Sequence, residues 1–151
     1  MDDISITRVH NDEFLELTNI WEASVKATHH FLTDKDIAYF RPLVLNEFLP
    51  MVTLFAARDS KNKIVGFLGL SAEKIEMLFV HPSTFGRGIG KKLLEFAIKN
   101  QNMSKLDVNE QNPSALGFYK HMGFEVIARS DTDAMGKPFP ILHMELKRYD
   151  F

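Results

Sequence analysis

Ile75-Glu76-Met77-Leu78-Phe79-Val80-His81-Pro82-Ser83-Thr84-Phe85-Gly86-Arg87-Gly88-Ile89-Gly90-Lys91-Lys92-Leu93-Leu94 decides how the rest of the chain is read. Ile75 to Val80 is mostly apolar and runs into Pro82, which cannot continue a ladder, so it reads as a buried strand. From Ile89 onward the apolar residues fall at Ile89, Leu93, Leu94, Ala97 and Ile98. That spacing gives a helix with one apolar face. Between strand and helix stand Gly86, Gly88 and Gly90.

The first turn of a helix carries backbone N–H groups without an intrahelical partner, and the helix dipole adds partial positive charge there. Glycines let an anion approach that backbone closely. A strand, a glycine loop and a helix start therefore make a phosphate site. Arg87, Lys91 and Lys92 add positive charge beside it. A tight strand-to-helix turn alone would use the same glycines. The spacing is not G-x-G-x-x-G, because the third glycine position falls on Lys91, nor is it a P-loop, because Gly90-Lys91 is followed by Lys92.

Working outward, 151 residues fit one domain, expected to span 1–151 and to bury roughly 70% of its unfolded surface. Apolar residues make up 45% of the chain, so it is globular rather than disordered. The net charge of −2, with basic residues dispersed, argues against nucleic acid and an anionic membrane as partners. There are no cysteines, which excludes disulfides, thiolate metal sites and a cysteine nucleophile. No signal peptide or membrane-spanning run stands out, and a cytoplasmic protein is expected.

Before the central stretch, Ile4 to Val9 reads as a short strand and Asn11 or Asp12 as the cap of a helix reaching about Lys26. Thr33 with Asp36 resembles a capping box and opens a second helix, which Pro42 should kink and Pro50 ends. Val52 to Ala57 and Ile64 to Leu70 read as a hairpin leading into the central strand. Beyond the glycine-loop helix, Ser104 to Val108 is a strand, and Pro113 after Asn112 starts a helix that Gly123 ends. Phe124 to Arg129 and Ile141 to Lys147 are the last strands. The order β-α-α-β-β-β-α-β-α-β-β predicts an α/β fold, a mixed and mostly antiparallel central sheet with helices on both faces.

That order resembles the GCN5-related N-acetyltransferase family, whose acetyl-CoA motif is [RQ]-x-x-G-x-[GA] after a strand. Here Phe85-Gly86-Arg87-Gly88-Ile89-Gly90 stands in that place, with Phe85 where the family has Arg or Gln. Asn112-Pro113-Ser114-Ala115 through Tyr119 to Gly123-Phe124 is similar to the family's N-x-x-A-x-x-x-Y-x-x-x-G-F signature. The segments 27–32, 108–112 and 136–140 resemble a bacterial subgroup of the family. The resemblance covers nearly the whole chain and is weakest before residue 50.

The resemblance implies an acetyl-CoA-dependent N-acetyltransferase acting by direct attack of a primary amine, with acetyl-CoA as cosubstrate and no metal. It implies that Leu78, Phe79 and Val80 offer backbone groups to the cofactor arm and thioester, that 85–91 (Phe85, Gly86, Arg87, Gly88, Ile89, Gly90 and Lys91) hold the pyrophosphate, and that Asn112 binds the arm. Asn112 is equally a helix cap. Tyr119 occupies the general-acid position; an unperturbed phenol near pKa 10 keeps its proton at neutral pH and would give an alkaline limb in the rate profile. Glu76 is the candidate base, although a strand-start glutamate also suits a solvated surface. His29 and His30 are expected to line the acceptor site, with Trp21, Tyr39 and the loop from Met135 to Pro140 beside them. The acceptor is a small-molecule amine or a peptide or protein amine, and a homodimer stays open. A catalytically silent acyl-CoA-binding or sensing module on the same fold is the alternative reading.

Overall fold

The computed structural model describes residues 3–148, in two compact units, one ending at Met103 and the other beginning at Ser104. Residues 1, 2 and 149–151 of the expected single domain lie outside the described residues.

The first unit is built on four strands: β1 (Ser5–Arg8), β2 (Thr53–Arg58), β3 (Ile64–Leu70) and β4 (Ile75–Val80). Each pairs antiparallel with the next. Every residue of β3 is buried, so its apolar run shows no alternation, as fits a strand covered on both faces. Helix α1 (Phe14–Thr28) lies against one face, where Leu17, Ile20, Trp21 and Val25 meet Leu54, Ala56 and Phe67. Helix α3 (Ile89–Gln101) takes the other face, with Phe96 against Phe55 at 4.8 Å between ring centroids. A Cβ on Gly66 would stand 3.0 Å from the Phe79 carbonyl and 3.2 Å from Leu93, so the close seat of α3 requires a glycine there.

Thr33 caps α2 (Asp34–Leu43) as expected: its hydroxyl accepts from the Asp36 amide at 3.1 Å and its amide donates to the Asp36 carboxylate at 3.0 Å. Pro42 supplies no N–H, and the helix relaxes into a π-helical turn, Val44–Phe48, instead of ending. Asn11 and Asp12, expected to cap α1, lie in a 3₁₀ turn before it; Glu13 accepts from the His10 amide at 2.9 Å. The Glu13 carboxylate also takes a two-pronged ion pair from Arg58, at 2.7 and 2.9 Å, while the Arg58 Nε donates to Thr7 at 2.9 Å. This pair ties β1, β2 and the start of α1 together, and it holds the Glu13 carboxyl well down, to about 2.

The second unit has three strands in the order β5-β7-β6, both pairings antiparallel: β5 (Lys105–Asn109), β7 (Ile141–Leu146) and β6 (Phe124–Ser130). Helix α4 (Pro113–His121) lies between β5 and β6 in sequence and packs on both. Leu106, Val108, Phe124, Leu142 and Met144 form the buried face. Gly123 has φ of +101°, and a Cβ there would stand 2.1 Å from the Arg148 carbonyl, so only glycine lets the chain end return over α4.

Candidate active site

The first unit carries the glycine loop. Gly86 and Gly88 both sit at positive φ, +81° and +79°, and a Cβ built on either meets nothing within 4 Å. The glycines are therefore needed for backbone conformation, and the space above the loop is open. The Lys92 amide donates to the Gly88 carbonyl at 3.0 Å, closing the first turn of α3. The amides of Ile89, Gly90 and Lys91 precede that bond and have no acceptor within the helix. Phe85 is 46% exposed, so the aromatic ring in the motif's first position is not a core residue. Upstream, His81 holds the approach to the loop: its amide donates to the Val65 carbonyl at 2.8 Å and its Nδ1 accepts from the Ser83 amide at 3.1 Å.

A cleft of about 190 Å³ adjoins this loop, lined by Asp59, Ser60, Lys61, Thr84, Arg87 and Ile89 among others. Lys61 was not among the residues singled out from the sequence. It comes from the β2–β3 turn, and only the hairpin brings it beside Arg87.

On β4, Met77 pairs with Gly69 and Ile75 with Leu70, so Glu76 is the extra residue of a β-bulge. Its side chain is exposed. Bulges re-aim a side chain out of the strand's alternation and are frequent beside active sites. Leu78, Phe79 and Val80 are half-buried, in contrast to the fully buried β3 beside them.

His29 ends α1, and His30 beyond it is exposed. The His29 ring packs on Phe31 at 5.3 Å and on Phe79 of β4 at 6.5 Å, which brings the expected acceptor residue to the central strand. The Thr28 hydroxyl donates to the Ser24 carbonyl at 2.8 Å, so its oxygen accepts from His29 Nδ1–H at 2.7 Å. Nε2 is then the lone-pair nitrogen. Burial, with a smaller push from His30, lowers the His29 pKa to about 4. Trp21 is 6% exposed within the α1 core, while Tyr39 and Met135 are exposed.

The second unit carries the other two residues. Asn112 is buried and its side-chain oxygen accepts from the Ala115 amide at 3.2 Å, so its capping role is realised. Tyr119 is 8% exposed, with its ring 5.3 Å from Phe118 and 6.2 Å from Phe124. Burial raises its phenol pKa well above the ordinary value of 10. The alkaline limb expected from an unperturbed phenol therefore moves out of the working pH range.

Among the described residues no three His, Asp or Glu side chains gather as a metal cluster would require, and no helix is long and apolar enough to cross a membrane.

The chain resembles known proteins along most of its length. Residues 51–126 match the model of an acetyltransferase (GNAT) domain. The chain is 43% identical, over 93% of its length and 97% of the relative's, to the peptidyl-lysine N-acetyltransferase YjaB of Salmonella typhimurium. The YjaB of Escherichia coli, also a peptidyl-lysine N-acetyltransferase, is 41% identical over 93% of this chain and 95% of its own. The apo-form solution structure of Escherichia coli YjaB superposes with a TM-score of 0.88, covering 95% of this chain and 97% of that one. At 21% identity, the PaiA N-acetyltransferase of Thermoplasma acidophilum, solved in complex with coenzyme A, shares the fold with a TM-score of 0.70 over 95% and 99% of the two chains. The α/β class, a mixed sheet with helices, is the fold shared with these neighbours. The chain belongs to the GCN5-related N-acetyltransferase family and is an N-acetyltransferase.

Proposed function

We propose that the protein transfers the acetyl group of acetyl-CoA to the side-chain amine of peptidyl-lysine, the whole chain working as one transferase domain. The observation that supports it most is the open glycine loop, with two left-handed glycines leading into the unpaired amides of α3. The family match spans the boundary between the two units, which supports their joint use. In this reading the pyrophosphate lies over Gly86 to Lys91, and Arg87 with Lys61 supplies the charge that Phe85 cannot. Leu78 to Val80 and Asn112 hold the pantetheine arm.

The lysine nitrogen attacks the thioester carbonyl, a C–N bond forms and the C–S bond breaks. Tyr119, kept protonated by burial, gives its hydroxyl proton to the departing thiolate. The amine proton leaves to Glu76, directly or through water. His29, neutral and with its lone pair on Nε2, accepts a hydrogen bond from the incoming amine, and His30 stands at the rim. The named activity of the YjaB relatives supports a protein amine over a small one.

Calorimetry with CoA, acetyl-CoA, NAD and ATP tests the donor. Preference for CoA and acetyl-CoA is expected, and preference for NAD or ATP would overturn the reading. Gly88→Glu places bulk and negative charge at the pyrophosphate and should abolish CoA binding while the fold persists.

A further inference from the structure

One face of the second unit holds a constellation to which the proposed acetyl transfer assigns no role. His143 of β7 stands between two partners. Its Nδ1 lies 2.7 Å from Asp107 Oδ1 on β5, and its Nε2 lies 2.7 Å from Ser130 Oγ on β6. A carboxylate only accepts, so Nδ1 carries the proton in the neutral ring and the Ser130 hydroxyl donates to Nε2. A carboxylate orients an imidazole, and the imidazole holds a serine proton.

The sheet builds this arrangement in two steps. Asp107 and His143 are cross-strand partners, which places them on one face, opposite the buried Leu106, Val108, Leu142 and Met144. Ser130 reaches that face only through a bulge. Val126 pairs with Met144, whereas Ala128 pairs with His143, so Ile127 is an inserted residue. Without it the period of two would turn Ala128 and Ser130 to the opposite face. The His143 and Asp107 side chains are 32% and 28% exposed, so a small reagent has access. β6 is the edge strand of the sheet, and alternate amides of an edge strand point away from the ladder, where they can donate to an oxyanion. Glu145, on the same face, is occupied by Lys147 at 2.6 Å and Lys105 at 3.9 Å.

We propose that Ser130, His143 and Asp107 form a second acyl-accepting site, with Ser130 as nucleophile toward small activated carboxylic esters. The Ser130 Oγ–C bond forms as the ester's C–O bond to its leaving group breaks. The serine proton passes to His143 Nε2 and from there to the leaving oxygen or to water. Water then gives a proton to His143 and attacks the acyl-serine, releasing the carboxylic acid and restoring the hydroxyl.

The test is brief exposure of the full chain to p-nitrophenyl acetate, followed by peptide mass mapping of acetylated serines. Ser130 should acquire acetyl at least about 100-fold faster than the exposed Ser104 and Ser114 of the same molecules. His143→Gln should remove that advantage, and Asp107→Asn should slow labelling at least about tenfold, melting temperatures serving as the folding control. Ser130 labelled no faster than the reference serines in the wild-type chain overturns the proposal whatever the variants do. Undiminished labelling in a folded His143→Gln variant overturns it equally.

Discussion

His29 at the end of α1 and Tyr119 in α4 are displaced in opposite directions by one cause. Burial lowers the imidazole to about 4 and raises the phenol above its ordinary value. Both shifts favour the uncharged form, because desolvation penalises charge of either sign. The chemical consequences differ. The histidine keeps a lone pair, and the tyrosine keeps its proton. The first unit thus holds a neutral imidazole and the second a neutral phenol. Glu13 shows the other route: Arg58 lowers its carboxyl to about 2 by stabilising charge.

The sharpest break in this comparison is Tyr119→Phe, which keeps the ring and removes the proton. Turnover should fall by ~10²–10⁴-fold while CoA affinity stays the same. Calorimetry and steady-state rates on one preparation read both. A next-largest effect is expected at His29. A neutral imidazole near pKa 4 adds no limb to the rate profile between pH 5 and 8, so wild-type and His29→Gln profiles should share their shape there, while the variant needs roughly tenfold more peptide for half-saturation. An acid limb that vanishes in the variant would show that His29 titrates during turnover.

The smallest effects separate burial from pairing through stability. His29 has a folded pKa below its unfolded value of 6.5, so the unfolded chain binds the extra proton first. Its contribution is complete above pH 6.5 and is lost as pH falls toward 4. Glu13 has a folded pKa below its ordinary value of 4.5, and its contribution is complete above that pH and lost toward pH 2. Melting curves should therefore show two windows, with His29→Gln flattening only the upper and Glu13→Gln only the lower. Glu13→Gln should also cost about 2 kcal/mol near neutral pH, or roughly 4–8 °C in melting temperature.

Where the sequence was legible, the signals were local. The β4 strand, the glycine loop and α3 lie within one continuous stretch, and periodicity with glycine spacing marks each boundary. Asn112, Pro113 and Gly123 bracket α4 by capping chemistry that depends on a few neighbours. The Thr33–Asp36 box was readable for the same reason. What stayed hidden depends on register or on contacts distant in sequence. Arg58 and Glu13 are 45 residues apart, and nothing near either announces the other. Lys61 comes to the cleft that Arg87 lines only through a hairpin. Ser130 meets His143 because of one inserted residue at Ile127, and a bulge leaves no pattern that alternation can detect. Trp21, singled out by its type, is buried in the core through its position on the α1 face. The pKa of Tyr119 was equally out of reach, since it follows from packing around Phe118 and Phe124 and not from the motif that named it.

The central claim is acetyl transfer itself, and mass spectrometry of a lysine-containing peptide incubated with the protein and acetyl-CoA tests it most directly. Acetylation at the lysine Nε is expected, with one CoA released per acetyl group transferred, and loss of that product in Tyr119→Phe. A protein that binds acetyl-CoA yet leaves lysine peptides unmodified would contradict it.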